Sequence, residues 1–559
     1  MDFITNLWNA NTPLFMLVAG LIVVTPFIVF YVRKALKEHP KGLIPAALSN
    51  MGERFGYYIM NAVLTLFICS KFGVPDQTAG IMFAGFYFLI YVLSLPGGII
   101  ADRTKNYKGT IIAGIIVMAV GYAILSVPVF SGHGFSWVMV LTLCALVIIA
   151  CGNGLFKGNL QAVVGQLYDD FEAEEAKKGP EALAKAKEKR DSGFQIFYVF
   201  INIGGVVAPF IAPIIRNWWL GTKGLVYNAQ LPMLCHNYLT NNMQGNDMDN
   251  LTALTAQYPE AANDLTAFCD SYITVFNTGV HFAFIASVVA MLISLTIFLC
   301  TKKGLPNPVK KESVAADDTK EVAYTAEEKA AMAKDVKQRM AGLYAVLGVC
   351  IFFWFAFHQN AESLSLFARD FVSTSSIPPE IWQCINPFLV VILTPIIMWM
   401  FASFVRRGKE VSTPKKIAYG MGIAACAYLF LMLLCIVSGY PSVDEFRGMP
   451  VDEASAMKVG PWALIVTYFF LTVAELFISP LGLSFVSKIA PKHIQGICQG
   501  LWLSATAIGN LLILFGPVLY KHMPKLWMCW LVFLVICIVA MSIMFGMIKW
   551  LEKITAEKQ

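Results

Sequence analysis

The amino-acid sequence predicts an all-α membrane protein, for three reasons: its composition, its apolar runs and the charges of its loops. Of 559 residues, 57% are hydrophobic and only 14% are charged, whereas a soluble domain carries about 25% charged residues. Apolar runs of about 20 residues recur along the chain, and each can cross a bilayer as a helix. Because lipid offers an exposed backbone no hydrogen bonds, these runs are predicted to be helices and not open strands.

The first apolar run, residues 13–32, predicts an extra N-terminal transmembrane helix. The preceding residues 1–12 contain no Lys or Arg, and positive charge follows the run at Arg33 and Lys34. A secretory signal has the opposite order, with its positive charge first. We therefore expect a retained helix whose N-terminus lies outside the membrane.

Twelve further spans follow in two groups of six. The first group is expected near residues 43–70, 78–100, 110–130, 137–166, 193–215 and 273–300. The second group is expected near residues 341–367, 380–404, 417–438, 461–487, 496–518 and 527–548. The chain then divides into an N-terminal helix and basic linker over 1–42, a bundle over 43–300, a cytoplasmic linker over 301–340 and a second bundle over 341–559.

Loop charge supports this alternation of spans. One set of alternate loops holds 32 of the 42 Lys and Arg residues, and the opposite set holds 8. The basic loops are expected in the cytoplasm, which places the C-terminus there. The expected location is the inner membrane. The net charge of +6 then reflects topology and not nucleic-acid binding. In these loops, 168–190 and 327–339 are predicted as a short cytoplasmic helix and a surface helix, each in a solvated linker.

The longest outside loop, residues 216–272, is polar and contains Cys235 and Cys269. An oxidising compartment would permit a disulfide between them. The sequence sets no distance between the two sulfurs, so the pairing is left open.

Ionisable residues inside the spans are the candidate functional residues. Each costs at least ~2.5 kcal/mol in the bilayer centre, so it is expected to face a cavity or a partner helix. The group consists of Glu53, Arg54, Lys157, His358, Glu362 and Glu475. Asn50, Glu53, Arg54 and Tyr57 share one helical face by their i, i+3, i+4, i+7 spacing. A purely structural Glu–Arg pair remains the alternative.

Five motifs, in order along the chain, carry a resemblance. They are Asn50-Met51-Gly52-Glu53-Arg54-Phe55-Gly56-Tyr57-Tyr58, Gly97-Gly98-Ile99-Ile100-Ala101-Asp102-Arg103, Gly154-Leu155-Phe156-Lys157-Gly158-Asn159, Phe197-Tyr198-Val199-Phe200-Ile201-Asn202-Ile203-Gly204 and Glu475-Leu476-Phe477-Ile478-Ser479-Pro480-Leu481-Gly482. Together they resemble the proton-dependent oligopeptide transporter family of the major facilitator superfamily. The resemblance spans roughly residues 39–550.

This resemblance implies the major facilitator fold, with two six-helix bundles around a central cavity, and proton symport of di- and tripeptides by alternating access. By this resemblance, Arg54 and Lys157 would bind the carboxylate of the substrate, and Glu475, Asn202 and Asn386 would bind its ammonium. Tyr58 and Tyr91 would lie near the peptide backbone. Trp354 and Trp502 would line pockets for the substrate's side chains. A lone aromatic residue in a span is more often simply packed.

The chemistry of these residues is consistent with that division. Arg54 and Lys157 belong to the first bundle and Glu475 to the second, so a bound zwitterion would bridge the two halves, as alternating access around a midplane site requires. Pro480 removes one backbone hydrogen bond, which suggests a kink near Glu475.

The sequence departs from the family at its acids. Asn50 replaces an acid of the first motif, and His358 stands where the seventh core helix usually has one. Proton coupling would then rest on Glu53 together with Arg54, Lys157, His358 or Glu362. A carboxylate that exchanges partners can take up a proton, and an imidazole can titrate near neutral pH. We expect Glu53 to be the principal carrier.

Two other functions remain open, namely transport of another small solute such as nitrate or an organic anion, and a transport-deficient peptide sensor. An enzyme is not expected, because the sequence shows no metal-ligand cluster, nucleotide loop or nucleophile beside a base. No cofactor or metal is expected. The expected partners are peptides, protons and membrane lipid, and the protein is expected to function as a monomer.

Overall fold

The protein is all-helical in the residues that the computed structural model describes. These are residues 2–74, 76–129, 136–228, 231–243, 247–306, 326–360, 363–373, 384–409, 411–447, 449, 451–491 and 494–556. Extended pairing in these ranges is limited to one isolated parallel bridge, between Val372 and Val459. The all-α prediction is confirmed.

The helices are numbered in chain order. The N-terminal helix and first half comprise α1 Asp2–Glu38, α2 Leu43–Phe72, α3 Asp76–Val92, α4 Ser94–Thr104, α5 Tyr107–Ser126, α6 Trp137–Ala176, α7 Pro180–Thr222, α8 Leu231–Leu239, α9 Asp247–Thr255, α10 Pro259–Asn263 and α11 Leu265–Thr301. The second half comprises α12 Ala326–Phe357, α13 Ser363–Phe371, α14 Ile385–Arg406, α15 Thr413–Val437, α16 Val443–Arg447, α17 Val451–Met457, α18 Trp462–Ile489, α19 Gln495–Leu512, α20 Phe515–His522 and α21 Leu526–Ala556.

Each of the thirteen predicted spans corresponds to a long helix or a pair of joined helices. Twelve helical segments of the described chain, α1 among them, are long and apolar enough to cross a membrane. The thirteenth, α2, has 30 residues, a length of about 45 Å, and carries the buried Glu53 and Arg54. Ile285, Val289 and Leu292 are exposed along one face of α11, as expected where a helix meets lipid.

Proline explains two helix breaks that the predicted spans missed. A proline has no N–H for the carbonyl four residues earlier. Pro96 cannot donate to the carbonyl oxygen of Val92. The segment predicted over 78–100 therefore breaks at Leu93, between α3 and α4. The segment predicted over 496–518 breaks at Ile513, four residues before Pro517. In contrast, α18 runs as one helix through Pro480.

The segment 168–190 is not a separate short helix in a solvated linker. It is the end of α6 and the beginning of α7, which meet at a turn over 177–179. Glu181 is exposed, but Arg190 is 1% and Asp191 8% exposed, because the extended helices pack against the second half. This end of the molecule is called the hairpin end below. The predicted surface helix over 327–339 likewise continues into α12, while linker residues 307–325 lie outside the described residues.

The two halves are each built around their own closely packed helices. In the first half α2 packs on α7 and α11, and α5 packs on α6 and α11; in the second half α15 packs on α18 and α21. Across the halves, α19 packs on α3, α4 and α6, and α7 packs on α14 and α18. A Cβ at Gly98 of α4 would lie 2.3 Å from the carbonyl oxygen of Gly496 of α19, so the halves touch backbone to backbone there.

The N-terminal helix α1 packs on both halves, against α7 on one side and α14 on the other. Val24, Tyr31 and Ala35 form its buried face. The Tyr31 hydroxyl donates a 2.7 Å hydrogen bond to the carbonyl oxygen of Val391 on α14.

The loop over 216–272 folds into the three short helices α8, α9 and α10. Cys235 of α8 and Cys269 of α11 are fully buried there and are free thiols. The two thiols lie close enough to influence each other, so the residues left open as a disulfide pair are neighbours, and both are free thiols in this structure.

Candidate functional site

A cavity of about 220 Å³ lies between the two halves and is lined by both. Nine of the twelve residues predicted from sequence line it, namely Arg54, Tyr58, Tyr91, Lys157, Trp354, His358, Asn386, Glu475 and Trp502. The other three are Glu53, Asn202 and Glu362, and Glu362 falls outside the described residues.

Glu53 and Arg54 form a buried ion pair on α2. Arg54 donates through Nε to Glu53 Oε2 at 2.5 Å and through Nη2 to Glu53 Oε1 at 2.6 Å. Asn153 of α6 donates a further hydrogen bond to Glu53 Oε1 at 2.8 Å. Glu53 therefore lies behind Arg54, 1% exposed, and meets the cavity only through its partner.

Lys157 is the second cation of the cavity. Its ammonium lies 4.0 Å from the ring centroid of Tyr91 on α3, a cation–π contact. Its side chain is largely buried, and within the described residues it makes no ion pair. A buried ammonium without an anion is costly, so this group is suited to receive one from a ligand.

Glu475 is the carboxylate of the second half. The Tyr198 hydroxyl of α7 donates a short hydrogen bond to Glu475 Oε1, and Asn386 Nδ2 donates to Oε2 at 2.7 Å. Glu475 thus accepts hydrogen bonds from both halves but faces no cation among the described groups. Asn202 does not take part, because its amide donates to the Tyr198 carbonyl oxygen at 3.0 Å within its own helix.

Aromatic rings form the wall beside His358. The imidazole stacks on Trp354, with ring centroids 5.1 Å apart and planes at 24°, and meets Tyr87 edge-on at 6.2 Å. Since Nδ1 lies 3.1 Å from the Trp354 carbonyl oxygen, which can only accept, Nδ1 carries a proton and Nε2 is left for other contacts.

Trp502 closes another part of the wall by packing on Gly482 of α18. A Cβ at position 482 would lie 2.1 Å from the indole ring. Glycine is therefore required at this position for the indole to pack so closely against α18.

Several lining residues were missed by the sequence reasoning, Tyr198 and Gln161 among them. Tyr198 belongs to a quoted motif, but no role was assigned to it. Gln161 lies one helical turn beyond Lys157 on α6, and that i, i+4 spacing was the signal that could have identified it.

A network of charges joins the halves at the hairpin end. Asp191 of α7 accepts hydrogen bonds from Lys416 at 2.9 Å, from Lys488 at 2.7 Å and from the Ser484 hydroxyl. Its neighbour Arg190 donates to the Ser487 hydroxyl at 2.9 Å. These bonds cross from α7 to α15 and α18, so the halves are held together at this end.

Asp102 of α4 adds a second connection at the hairpin end. It accepts from the backbone N–H of Gly496 at 3.2 Å and of Ile497 at 2.7 Å, in the first turn of α19. A carboxylate at a helix N-terminus is favoured by the helix dipole. The Tyr107 hydroxyl also donates to it.

Comparison with known proteins relates this chain to a family. The model of the POT family matches residues 108–341 and 325–526. The chain is 26% identical over 496 residues to a peptide transporter of Yersinia enterocolitica, covering 85% of this chain and 86% of the relative. It is 25% identical over 492 residues to dipeptide and tripeptide permease B of Salmonella typhimurium, with coverage of 85% and 86%.

Solved structures show the same fold. A POT family transporter in complex with a thioalcohol-conjugated peptide superposes with a TM-score of 0.57 at 20% identity, over 93% of this chain and 98% of that one. A POT family transporter in complex with 5-aminolevulinic acid superposes with a TM-score of 0.55 at 20% identity, over 92% and 97%.

Proposed function

Because this chain belongs to the POT family and is a multi-pass peptide transporter rather than an enzyme, we propose that it takes up di- and tripeptides by proton symport. The observation that carries the proposal is the pair of charges left for a ligand in the cavity. Among the described residues, Lys157 is a cation without an anion and Glu475 is a carboxylate without a cation, and they lie on opposite halves.

A peptide zwitterion supplies the two missing charges. Its carboxylate would bind Lys157 and Arg54, and its ammonium would bind Glu475 beside Asn386. The ends of every peptide are alike, while its side chains would lie against the aromatic wall of Trp354 and Trp502. Nitrate could satisfy Lys157 but would leave Glu475 without a cation, so the site favours a zwitterion.

Proton coupling would follow from the position of Glu53 behind Arg54. A substrate carboxylate that draws Arg54 toward the cavity weakens the bidentate pair, and the deprived Glu53 carboxylate in a buried site then favours a proton. When substrate leaves, Arg54 would return and displace the proton. Glu362 and His358 remain further candidates for this coupling.

Alternating access would use the two halves as the moving bodies. We propose the division of the chain into 1–42, 43–300, 301–340 and 341–559 given above. The hairpin end would face the cytoplasm of the inner membrane, with the N-terminus outside and the C-terminus inside, and the protein would act as a monomer. In the described conformation the bonds of Asp191 and Asp102 would then close the cytoplasmic side.

The test is uptake of labelled dialanine into proteoliposomes with and without an imposed inward proton gradient. Accumulation above the outside concentration is expected only with the gradient. Competition by unlabelled dialanine, and none by nitrate, is expected for a zwitterion site. Equal uptake with and without the gradient would overturn the symport, and competition by nitrate alone would overturn the peptide assignment.

A further inference from the structure

A second cavity, of about 710 Å³, lies at the hairpin end. It is bounded by α1, by the hairpin of α6 and α7, and by α14, α15 and α18. No described residue lines both this cavity and the central one. Its walls differ in character, because the hairpin supplies mostly charged side chains whereas α14 supplies Met398, Phe401, Ala402 and Val405. A cavity with one charged and one apolar side suits an amphiphile better than a small ion.

Most of the charges around this cavity are already paired. The pairs are Arg190 with Asp169 and Glu172, Asp191 with Lys416 and Lys488, Lys185 with Glu181, and Glu552 with Lys415. Glu188 also has a partner. Among the described groups, the lining lysines without an ion pair are Lys34, Lys187 and Lys189, and the one lining acid without a pair is Glu38. Because Glu38 is exposed, water screens its charge, and the cavity keeps an excess of positive charge.

Lys34 of α1 and Lys189 of α7 approach the same imidazole from two helices. His39 Nε2 lies 3.4 Å from the hydroxyl oxygen of Ser192, which stands one turn after Lys189 on α7. Burial together with the charges of the two lysines lowers the pKa of His39 to about 4, so the imidazole is neutral. Both lysine side chains are only partly exposed. Two ammonium groups that act on one imidazole repel each other unless an anion lies between them.

The cavity lies at the edge of the lipid-facing surface. Phe30 and Leu36 of α1 are exposed, as are Ile396 and Trp399 of α14, on two of the helices that bound the cavity. An exposed Trp is typical of the boundary between bilayer and water. In the proposed topology this boundary belongs to the cytoplasmic leaflet, whose anionic lipids are bound by basic pockets between helices.

We propose that the cavity at the hairpin end binds an anionic phospholipid of the cytoplasmic leaflet, with its phosphate between Lys34 and Lys189 and an acyl chain along the apolar wall of α14. A free phosphate would satisfy the lysines but would leave that wall uncovered. A zwitterionic lipid brings its own cation beside the phosphate, so its net attraction to the lysines is smaller. The inference goes beyond the proposed transport, because it concerns a second site and depends only on the hairpin end facing the cytoplasm.

The experiment titrates the full chain in detergent with dioleoylphosphatidylglycerol and follows the lipid-bound protein by native mass spectrometry. Dioleoylphosphatidylcholine and glycerol 3-phosphate are titrated in parallel, to separate an anionic lipid from a zwitterionic one and from a free phosphate. Wild type is expected to bind phosphatidylglycerol the most tightly of the three. Lys34→Gln combined with Lys189→Gln should weaken that binding roughly 30-fold, about fivefold for each lysine, and should leave phosphatidylcholine unchanged.

Lys37→Gln combined with Lys177→Gln is the matched control. These lysines lie on α1 and in the turn of the same hairpin, but they are exposed and do not line the cavity. The control loses the same charge and should keep the wild-type affinity for phosphatidylglycerol. Lys34→Arg combined with Lys189→Arg should keep it as well.

Three results would overturn the inference. They are equal wild-type affinity for the two lipids, equal losses in the glutamine pair and the control, and binding of glycerol 3-phosphate as tight as that of phosphatidylglycerol. If the glutamine pair does not fold, Lys189→Gln alone, with an expected loss of about fivefold, decides in its place. The titration requires no transport, so its outcome is separate from that of the dialanine uptake.

Discussion

Replacing Asp191 with asparagine is expected to open the hairpin end. Its carboxylate binds Lys416 and Lys488 at 2.9 and 2.7 Å, and its side chain is 12% exposed. The variant leaves two ammonium groups beside each other without their shared anion. Removing one partner of a buried pair costs about 3–5 kcal/mol, and we take about 3 kcal/mol because Lys488 is 27% exposed. Because the bonds cross between the halves, we expect them to break when the halves separate, so the population of the closed arrangement relative to the open one should fall roughly 100-fold.

Spin-label distance measurements can detect that shift. Labels carried on a ketone-bearing unnatural residue at Ala184 and Lys409, both exposed near the hairpin end, leave the 13 native cysteines unmodified. Wild type should show mainly the short distance of the closed arrangement. Asp191→Asn should show a major population at a longer distance.

The matched control is Glu552→Gln. Glu552 pairs with Lys415 at 2.9 Å, but both residues are partly exposed and belong to the second half. An exposed pair contributes at most about 1 kcal/mol, and this one does not cross between halves. An unchanged distance distribution in folded Asp191→Asn protein, or an equal shift in the control, would refute the role of this network.

Three further changes test other parts of the structure. Glu53→Gln should abolish proton-driven accumulation but retain peptide exchange by counterflow, and full uphill uptake would contradict its role as carrier. Gly98→Ala, whose Cβ would meet the Gly496 carbonyl, should lengthen the same spin-label distance, whereas Gly80→Ala, with nothing within 4 Å, should not. His39 is buried after α1, and burial with nearby Lys34 and Lys189 lowers its pKa from 6.5 to about 4. Between pH 7 and pH 5 the unfolded chain therefore protonates this imidazole while the folded protein does not, and the free energy of unfolding should fall by about 2 kcal/mol. Thermal unfolding in detergent measures this loss of stability, and His39→Gln should lack the contribution.

The convergence of Arg54, Lys157 and Glu475 is predictable from sequence, because a charge within a span must face a cavity or a partner. Helical spacing places Glu53 and Arg54 side by side but does not say which of them reaches the cavity. That depends on Asn153 of α6, which holds Glu53 from the other side.

Amides and loop charges were harder to predict. Asn202 belongs to a motif, but its side chain donates a hydrogen bond to the carbonyl oxygen one turn earlier. The rotamer that makes this bond is not determined by any sequence pattern. Asp191 directly follows the segment 168–190, which was predicted to be solvated because its charge density resembles that of a surface. Only the packing of α7 against α15 and α18 turns it into a buried connection between the halves.

The contact of α1 with both halves bears on how solutes can reach the interior. The helix covers the seam where α7 meets α14, and the Tyr31 hydroxyl closes that cover on the α14 side. An apolar molecule dissolved in the bilayer therefore meets α1 on this flank and not a lateral opening between α7 and α14. On this flank a membrane-dissolved amphiphile would have no lateral route to the central cavity, even where that cavity could bind it.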